Sequence, residues 1–296
     1  MSAGVWLVDK PAGPTSHDIV ARIRRGLPRS VKVGHAGTLD PFATGLLVVL
    51  TGPGTRLTPY LTNLDKTYLA TVRLGAVSET LDPEGPITET GTPPDAAAVE
   101  AVLSAFVGEQ RQTVPALSAV KVDGERLYKK ARRGEKVQAP DREIVIHGIE
   151  FRTYDPTTGL LNIEVRCGKG TYLRQLAADI GERLGCGGYC AELRRTAVGH
   201  MQVAHAVPPH DVGSGEGIGA RSALQGMPMR EMSDDEAAAV VHGRSVPGDD
   251  AGPVALVHGP DVYAIGEAGA PGLIHPSVVL MTPGQESHTA AGTSSR

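Results

Sequence analysis

The stretch Gly34-His35-Ala36-Gly37-Thr38-Leu39-Asp40-Pro41 gathers an imidazole, a carboxylate and two glycines in one short run. Glycine has no Cβ, so the backbone there can approach a ligand closely. A carboxylate in such a place can attack a carbon, take a proton or stabilise a developing cation. An Asp before a Pro is also the ordinary mark of a turn, and on spacing alone the turn is the better reading. No Lys-Ser or Lys-Thr follows the glycines, so this is not a phosphate-binding P-loop, and an NTPase is disfavoured.

Other chemistries find little support. Cys186 and Cys190 stand close together with Cys167 upstream, but no second Cys or His pair follows at the spacing of a zinc finger. His258 and His275 have no evident ligand neighbours. There is no Gly-x-Ser-x-Gly elbow for a serine nucleophile. The expectation is no metal and no cofactor.

Composition bounds the rest. The chain has 296 residues, 41% of them hydrophobic, with a net charge of −4. Gly and Pro together make about a fifth of it, below the level of a disordered low-complexity chain. No apolar run reaches the ~18 residues of a membrane helix. The first residues carry no basic stretch followed by an apolar core. Three cysteines cannot build a disulfide framework. These readings predict a cytoplasmic protein with no membrane contact.

Charge is distributed unevenly. Residues 206–296 hold four Arg and no Lys against eleven acids, a net of −7. The stretch Ile19 to Leu39 carries Arg22, Arg24, Arg25, Arg29 and Lys32 and no acid. Lys121 to Arg142 is also basic. One basic run is usually a solvated face. Two beside an acid-poor glycine loop point to a nucleic-acid partner, because local charge decides phosphate contact.

The elements that must position these residues follow from periodicity. Val5 to Val8 reads as a strand ending in Asp9-Lys10-Pro11. Thr15 or Ser16 caps a helix with Ile19, Val20 and Ile23 on its apolar face, ended by Gly26. Gly34 to Pro41 reads as loop and Gly45 to Leu50 as a buried strand. Lys66 to Leu74 alternates, with Tyr68, Ala70, Val72 and Leu74 on one face. Ala96 to Phe106 reads as helix. Ala119 to Asp123 and Ile144 to Tyr154 read as strands around a basic helix, Arg126 to Arg133. Leu160 to Arg166 is a strand, Thr171 to Leu184 an amphipathic helix, and Arg194 to Met201 a returning strand. Val207 to Gly219 has linker composition. Val254 to His258 and Val262 to Gly266 are strand-like.

The run from Gly34 through Asp40 to Leu47 resembles the signature loop of the bacterial TruB-type tRNA pseudouridine synthases. The resemblance recurs in order along the chain, from about residue 4 to 200. It takes in Val8-Asp9-Lys10-Pro11 and Asp65-Lys66-Thr67-Tyr68. Pro115 to Lys121 with Gly124 to Tyr128 resembles a further family stretch. Cys167 to Arg174 resembles the Lys-Gly-Thr-Tyr-x-Arg motif, and Leu193-Arg194-Arg195-Thr196 follows.

What the resemblance implies is specific. The fold would be α+β, a pseudouridine-synthase-type mixed sheet with flanking helices and a central cleft, plus a small β-rich PUA-like C-terminal domain. The catalytic domain would span 1–205, with an RNA-gripping insert around 75–140. A linker would run over 206–227, the PUA-like domain over 228–283 and a frayed tail over 284–296. The activity would be isomerisation of the T-loop uridine, position 55 of tRNA, to pseudouridine, by a monomer using no guide RNA. Asp40 matches the catalytic carboxylate, Arg174 its arginine partner and Tyr68 the tyrosine that stacks on the base. His35 matches a histidine that assists flipping. Tyr172, Lys10, Lys169 and Leu193 would serve substrate binding, with Lys10 supporting the loop. Asp82 lies where the family has a further acid of no assigned role. Arg22, Arg25, Arg29, Lys32, Lys129, Lys130, Arg132 and Arg133 would meet RNA phosphates. The acidic C-terminus departs from a phosphate-binding surface. A non-catalytic RNA-binding or tRNA-folding protein is the runner-up, disfavoured because Asp40 is present. A glycosidase or phosphatase would want a second acid or a metal cluster near Asp40, and the motifs supply neither.

Overall fold

The computed structural model describes residues 4–118, 120–122, 124–127, 133, 139–215, 217–249 and 252–281. Two sheets and their helices account for most of them. The N-terminal part contains β1 (Gly4–Lys10), α1 (Ser16–Arg25), β2 (Val33–Ala36), β3 (Thr44–Thr51), α2 (Thr58–Thr62) and β4 (Lys66–Leu74). The middle adds a small hairpin, β5 (Ala76–Ser78) with β6 (Ile87–Glu89), then α3 (Ala96–Leu103) and β7 (Gly108–Thr113). A two-residue pair, β8 (Lys121–Val122) with β9 (Glu125–Arg126), precedes β10 (Asp141–Asp155), β11 (Leu160–Cys167), α4 (Leu173–Arg183), β12 (Gly188–Val198) and β13 (Met201–Gln202).

These strands form one mixed sheet in the order β1-β3-β12-β4-β11-β10-β7, with β2 on β3 and β13 on β12. Its neighbours are antiparallel except β3 and β12, which run parallel where Thr44 meets Arg194 and Gly45 meets Arg195. The parallel step brings the chain just after Asp40 against β12. The strand β4 pairs on both sides, with β11 and β12. It places Lys66, Tyr68, Ala70, Val72 and Leu74 on its buried phase, as alternation predicts.

Local signals explain the element ends. Thr15 caps α1 with a full capping box: its side chain accepts from the Asp18 amide, and Asp18 accepts from the Thr15 amide. Such a cap contributes about 0.5–2 kcal/mol. Ile19, Val20 and Ile23 bury against Val33, Leu47 and Val49 of β2 and β3. On the other face, Leu173, Leu176, Ala177 and Ile180 of α4 pack over Tyr68, Ala70 and Val72.

Four expectations need correction. Gly34 to Ala36 is not loop but strand, pairing with Val48 to Leu50, because the β3 edge supplies the hydrogen bonds. The last long strand begins at Gly188 rather than Arg194, because β4 offers it a partner along its whole length. Of the strand expected at Ala119 to Asp123, Lys121–Val122 is strand and Val120 is not; Ala119 and Asp123 lie outside the described residues. Arg126, expected in a basic helix, is in β9; residues 128–132 lie outside the described residues.

The segment after β13 does not hang free. Val207 exchanges backbone hydrogen bonds with Leu7 and Asp9, and the Ile218 amide donates to Val5. Beyond it come α5 (Ala220–Ala223), β14 (Met229–Glu231), α6 (Asp234–Val241), β15 (Val246–Pro247), β16 (Val254–His258), β17 (Asp261–Ala268) and β18 (Leu273–Val279). They make the small β-rich C-terminal sheet, order β14-β16-β17-β18-β15. Ala255, Val257, Val262 and Ile265 share one core with Val5, Leu7, Leu46 and Leu50 of the large sheet. Among the described residues, no helix is long and apolar enough to cross a membrane.

Gly45 tests this architecture. Its φ is +99°, and a Cβ there would lie 2.3 Å from the Arg195 carbonyl oxygen. Gly45→Ala therefore meets both backbone strain and a backbone clash. It is expected to cost about 2–4 kcal/mol in urea unfolding; an unchanged midpoint would remove this contact as a constraint.

Candidate active site

Asp40 sits in the turn between β2 and β3, and three separate groups hold that turn. Upstream, the Ser16 hydroxyl donates to the Leu39 carbonyl (3.0 Å) and accepts from the Leu39 amide (2.8 Å). Downstream, Lys10 Nζ donates to the carbonyls of Pro11 (2.8 Å), Pro14 (2.8 Å) and Pro41 (3.1 Å). Burial pulls Lys10 down to about 8, against the attraction of Asp40 and Glu84. Underneath, the fully buried Arg195 donates from Nη2 to Gly37 (3.0 Å), from Nη1 to Thr38 (3.4 Å) and from Nε to Leu46 (2.7 Å).

The carboxylate itself is held by Arg174, on the first turn of α4. Arg174 Nε donates to Asp40 Oδ2 at 2.9 Å and Nη2 to Asp40 Oδ1 at 3.3 Å. The same guanidinium gives Nη1 to Asp82 Oδ2 (3.1 Å) and the Thr80 carbonyl (2.9 Å), and Nη2 to the Leu117 carbonyl (3.0 Å). All its N–H donors are thereby occupied. The Arg174 and Asp82 side chains are 3% and 4% exposed, whereas Asp40 is 32% exposed. Asp40 is thus the member of the triad that a ligand can reach. Burial pushes the Asp40 carboxyl above the usual carboxylate range; Arg174 opposes that and Asp82 adds to it.

A second acid beside Asp40 corrects the sequence reading, which expected none. Asp82 is fully engaged: Oδ1 accepts from the Thr80 hydroxyl (2.5 Å) and the Glu84 amide (3.1 Å). Leu81, just before it, has φ +64°, the one positive φ on a non-glycine among the described residues. That turn lets Thr80 and Asp82 both face Arg174 Nη1. The signal missed was an acid read without its burial.

These groups line a cleft of about 890 Å³ that Tyr68, Tyr172, Lys169 and Leu193 also line. Tyr68 is 8% exposed. Burial holds its phenol above the ordinary range, with the nearby Arg195 cation opposing. Tyr172 precedes α4; its ring lies 5.7 Å from the Arg142 guanidinium carbon. The buried Gln112 side chain pairs with both backbone groups of Tyr172, at 2.8 and 3.1 Å. Gln112 and Arg195 were not singled out in the sequence. For Arg195 a signal existed, since it falls on the buried phase of β12 between Leu193 and Ala197.

The remaining expected residues are dispersed. His35 stands on β2 opposite Val49 and does not line the cleft. Burial lowers its imidazole pKa, and its buried Nδ1 has no hydrogen-bond partner. Arg22, Arg25, Arg29 and Lys32 are exposed along and after α1. Arg133 is exposed but bound bidentately to Glu125 at 2.7 and 2.8 Å. Lys129, Lys130 and Arg132 lie outside the described residues. Among the described residues, no cluster of three or more His, Cys, Asp or Glu could hold a metal ion.

Comparison with known proteins joins this geometry to a family. Residues 24–173 match the TruB family pseudouridylate synthase N-terminal domain, and residues 174–220 the tRNA pseudouridylate synthase B C-terminal domain. A protein of Parasynechococcus marenigrum (strain WH8102) named tRNA pseudouridine synthase B is 45% identical, over 79% of this chain and 81% of its own length. One of the same name in Thermobifida fusca (strain YX) is 44% identical, over 86% and 91%. In structure, the chain is similar to one in a Cbf5-Nop10-Gar1 complex, with a TM-score of 0.69 and 26% identity over 94% of this chain and 85% of that one. The chain belongs to the TruB family of pseudouridylate synthases.

Proposed function

We propose that this enzyme isomerises the T-loop uridine of tRNA, position 55, to pseudouridine, with Asp40 as the reacting carboxylate. The observation that carries the reading is Asp40 itself: an acid open to the cleft, fixed through both oxygens by a saturated, buried guanidinium. The name shared by relatives that align with most of the chain supports tRNA as substrate. Action by the chain without a guide RNA is part of the same proposal.

The chemistry asks for what these residues supply. The N1–C1′ bond breaks, the ring turns, and C5 joins C1′. Every heavy atom is retained, so a carboxylate with a partner cation suffices. Arg174 keeps Asp40 ionised in a site whose burial favours the neutral acid. The target base must leave its stack first, at a cost of a few kcal/mol. Tyr68 offers the extruded ring a flat wall, and Leu193 a second apolar surface. The Tyr68 hydroxyl, a neutral phenol, assists loss of the C5 proton as a relay, taking that proton only as it hands its own to water in the cleft. Lys169 and Arg142, at the cleft mouth, meet the phosphates that flank the flipped nucleotide. The exposed Arg22, Arg25, Arg29 and Lys32 meet phosphates farther along the stem.

Two variants test the reading. Asp40→Asn should abolish tritium release from C5-labelled uridine in T-loop RNA while RNA affinity stays within a few-fold; full release would end the assignment. Tyr68→Phe should keep binding and slow single turnover by roughly 10²-fold. Wild-type rates in that variant would take the hydroxyl out of the reaction.

A further inference from the structure

Arg195 differs from Arg174 and Arg194 in one respect. Arg174 meets two carboxylates, and Arg194, its chain neighbour, is paired with Asp9 at 3.0 and 2.8 Å. Arg195 is 1% exposed and bonds to backbone carbonyls; among the described residues no carboxylate lies within ion-pair distance of it. Lys66 is similar. It is 7% exposed, and its Nζ donates to the carbonyls of Thr62 and Leu64, both at 2.6 Å. The adjacent Asp65 faces His147 instead. Burying a cation without a counter-charge costs several kcal/mol, so folds usually pair it.

Both cations neighbour Tyr68 in the sheet. Arg195 is the cross-strand partner of Tyr68 in the β12–β4 register, and Lys66 precedes Tyr68 by two residues on the same strand face. All three line the cleft. Cross-strand partners bring their side chains side by side. The cleft lining therefore holds two groups: Asp40, Asp82 and Glu84 about Arg174, and Lys66 and Arg195 next to Tyr68, with no carboxylate bonded to either of these two cations among the described residues. Glu143 sits on the exposed rim.

We propose that Arg195, assisted by Lys66, stabilises the negative charge of the uracil ring once it is detached from the sugar. This rests on the isomerase reading above and deepens it. When N1–C1′ breaks, the bonding electron pair stays on the ring and spreads over N1 and the two carbonyl oxygens. C1′ is left electron-poor and is met on the opposite side by the Asp40 carboxylate. The ring must then turn without leaving, and a fixed field under Tyr68 holds an anion through that turn without reorganising. Arg195 acts beneath the wall of the pocket. It is a positioning residue for the Asp40 turn, and its charge does the second task.

A leaving-group comparison separates the two tasks. T-stem-loop RNA carrying uridine or 5-fluorouridine at the target is given to wild type, Arg195→Gln and Lys66→Met, and single-turnover loss of the original nucleoside is followed. Fluorine at C5 stabilises the ring anion by itself, so the substituted RNA depends less on the protein's cations. Both variants should slow uridine at least about tenfold more than 5-fluorouridine, with little change in RNA affinity. An equal loss on the two RNAs, or no loss, overturns the proposal and leaves Arg195 as a loop support. Lys66→Met leaves every contact to the Asp40 turn intact, so it decides the matter if Arg195→Gln does not fold. Wild type failing on uridine RNA would instead bring down the isomerase reading first.

Discussion

The buried guanidinium of Arg174, shared between Asp40 and Asp82, is the interaction on which the rest depends. A buried cation with two acids is a costly object: its desolvation is repaid only if each donor finds an acceptor. Here all donors do, two of them on backbone carbonyls from distant parts of the chain, Thr80 and Leu117. The first turn of α4, the Leu81 turn and the segment near Leu117 must therefore assemble together. Removing one partner of such a cluster commonly costs about 3–5 kcal/mol. The strained φ of Leu81 is held by the same cluster.

Around that centre, the fold restrains the Asp40 turn from three directions. Ser16 comes from the start of α1, Lys10 from the end of β1 and Arg195 from the middle of β12. Ser16 and Lys10 act on the backbone of Leu39 and Pro41, either side of Asp40, and Arg195 on Gly37 and Thr38 just before it, leaving its carboxylate to Arg174 and the cleft. The parallel step between β3 and β12 makes this possible, because Gly45 lets Arg195 approach the strand that follows the turn. The shared core between the two sheets then keeps β1, and with it Lys10, in place.

Periodicity made the strands and helices of the large sheet legible, since Lys66 to Leu74 and the α4 face keep strict hydrophobic spacing. Thr15 announced α1 through its capping chemistry. What pattern could not supply was pairing. Gly34 to Ala36 has no strand composition of its own and becomes strand because β3 offers an edge. Nothing in the sequence pattern marks Asp82 and Arg195 as buried, since polar residues are usually exposed; only the tertiary fold buries them. The Asp40–Arg174 contact joins residues far apart in the chain, and it was expected from family likeness rather than from spacing. Arg126, read as the start of a basic helix, is instead drawn into a strand by its pairing with Lys121.

Titration of the Asp40 carboxyl carbon by NMR, in wild type and Arg174→Gln, tests the central claim most directly. Burial raises this group and the guanidinium restrains it. The folded protein then binds more protons than the unfolded chain between the ordinary value, 3.8, and the raised one. Over that window this group's contribution to stability falls as pH rises, and activity appears only above it. The account predicts a wild-type midpoint above 3.8 that climbs further in Arg174→Gln. A midpoint at or below the ordinary value, or one that the substitution leaves unmoved, would contradict it.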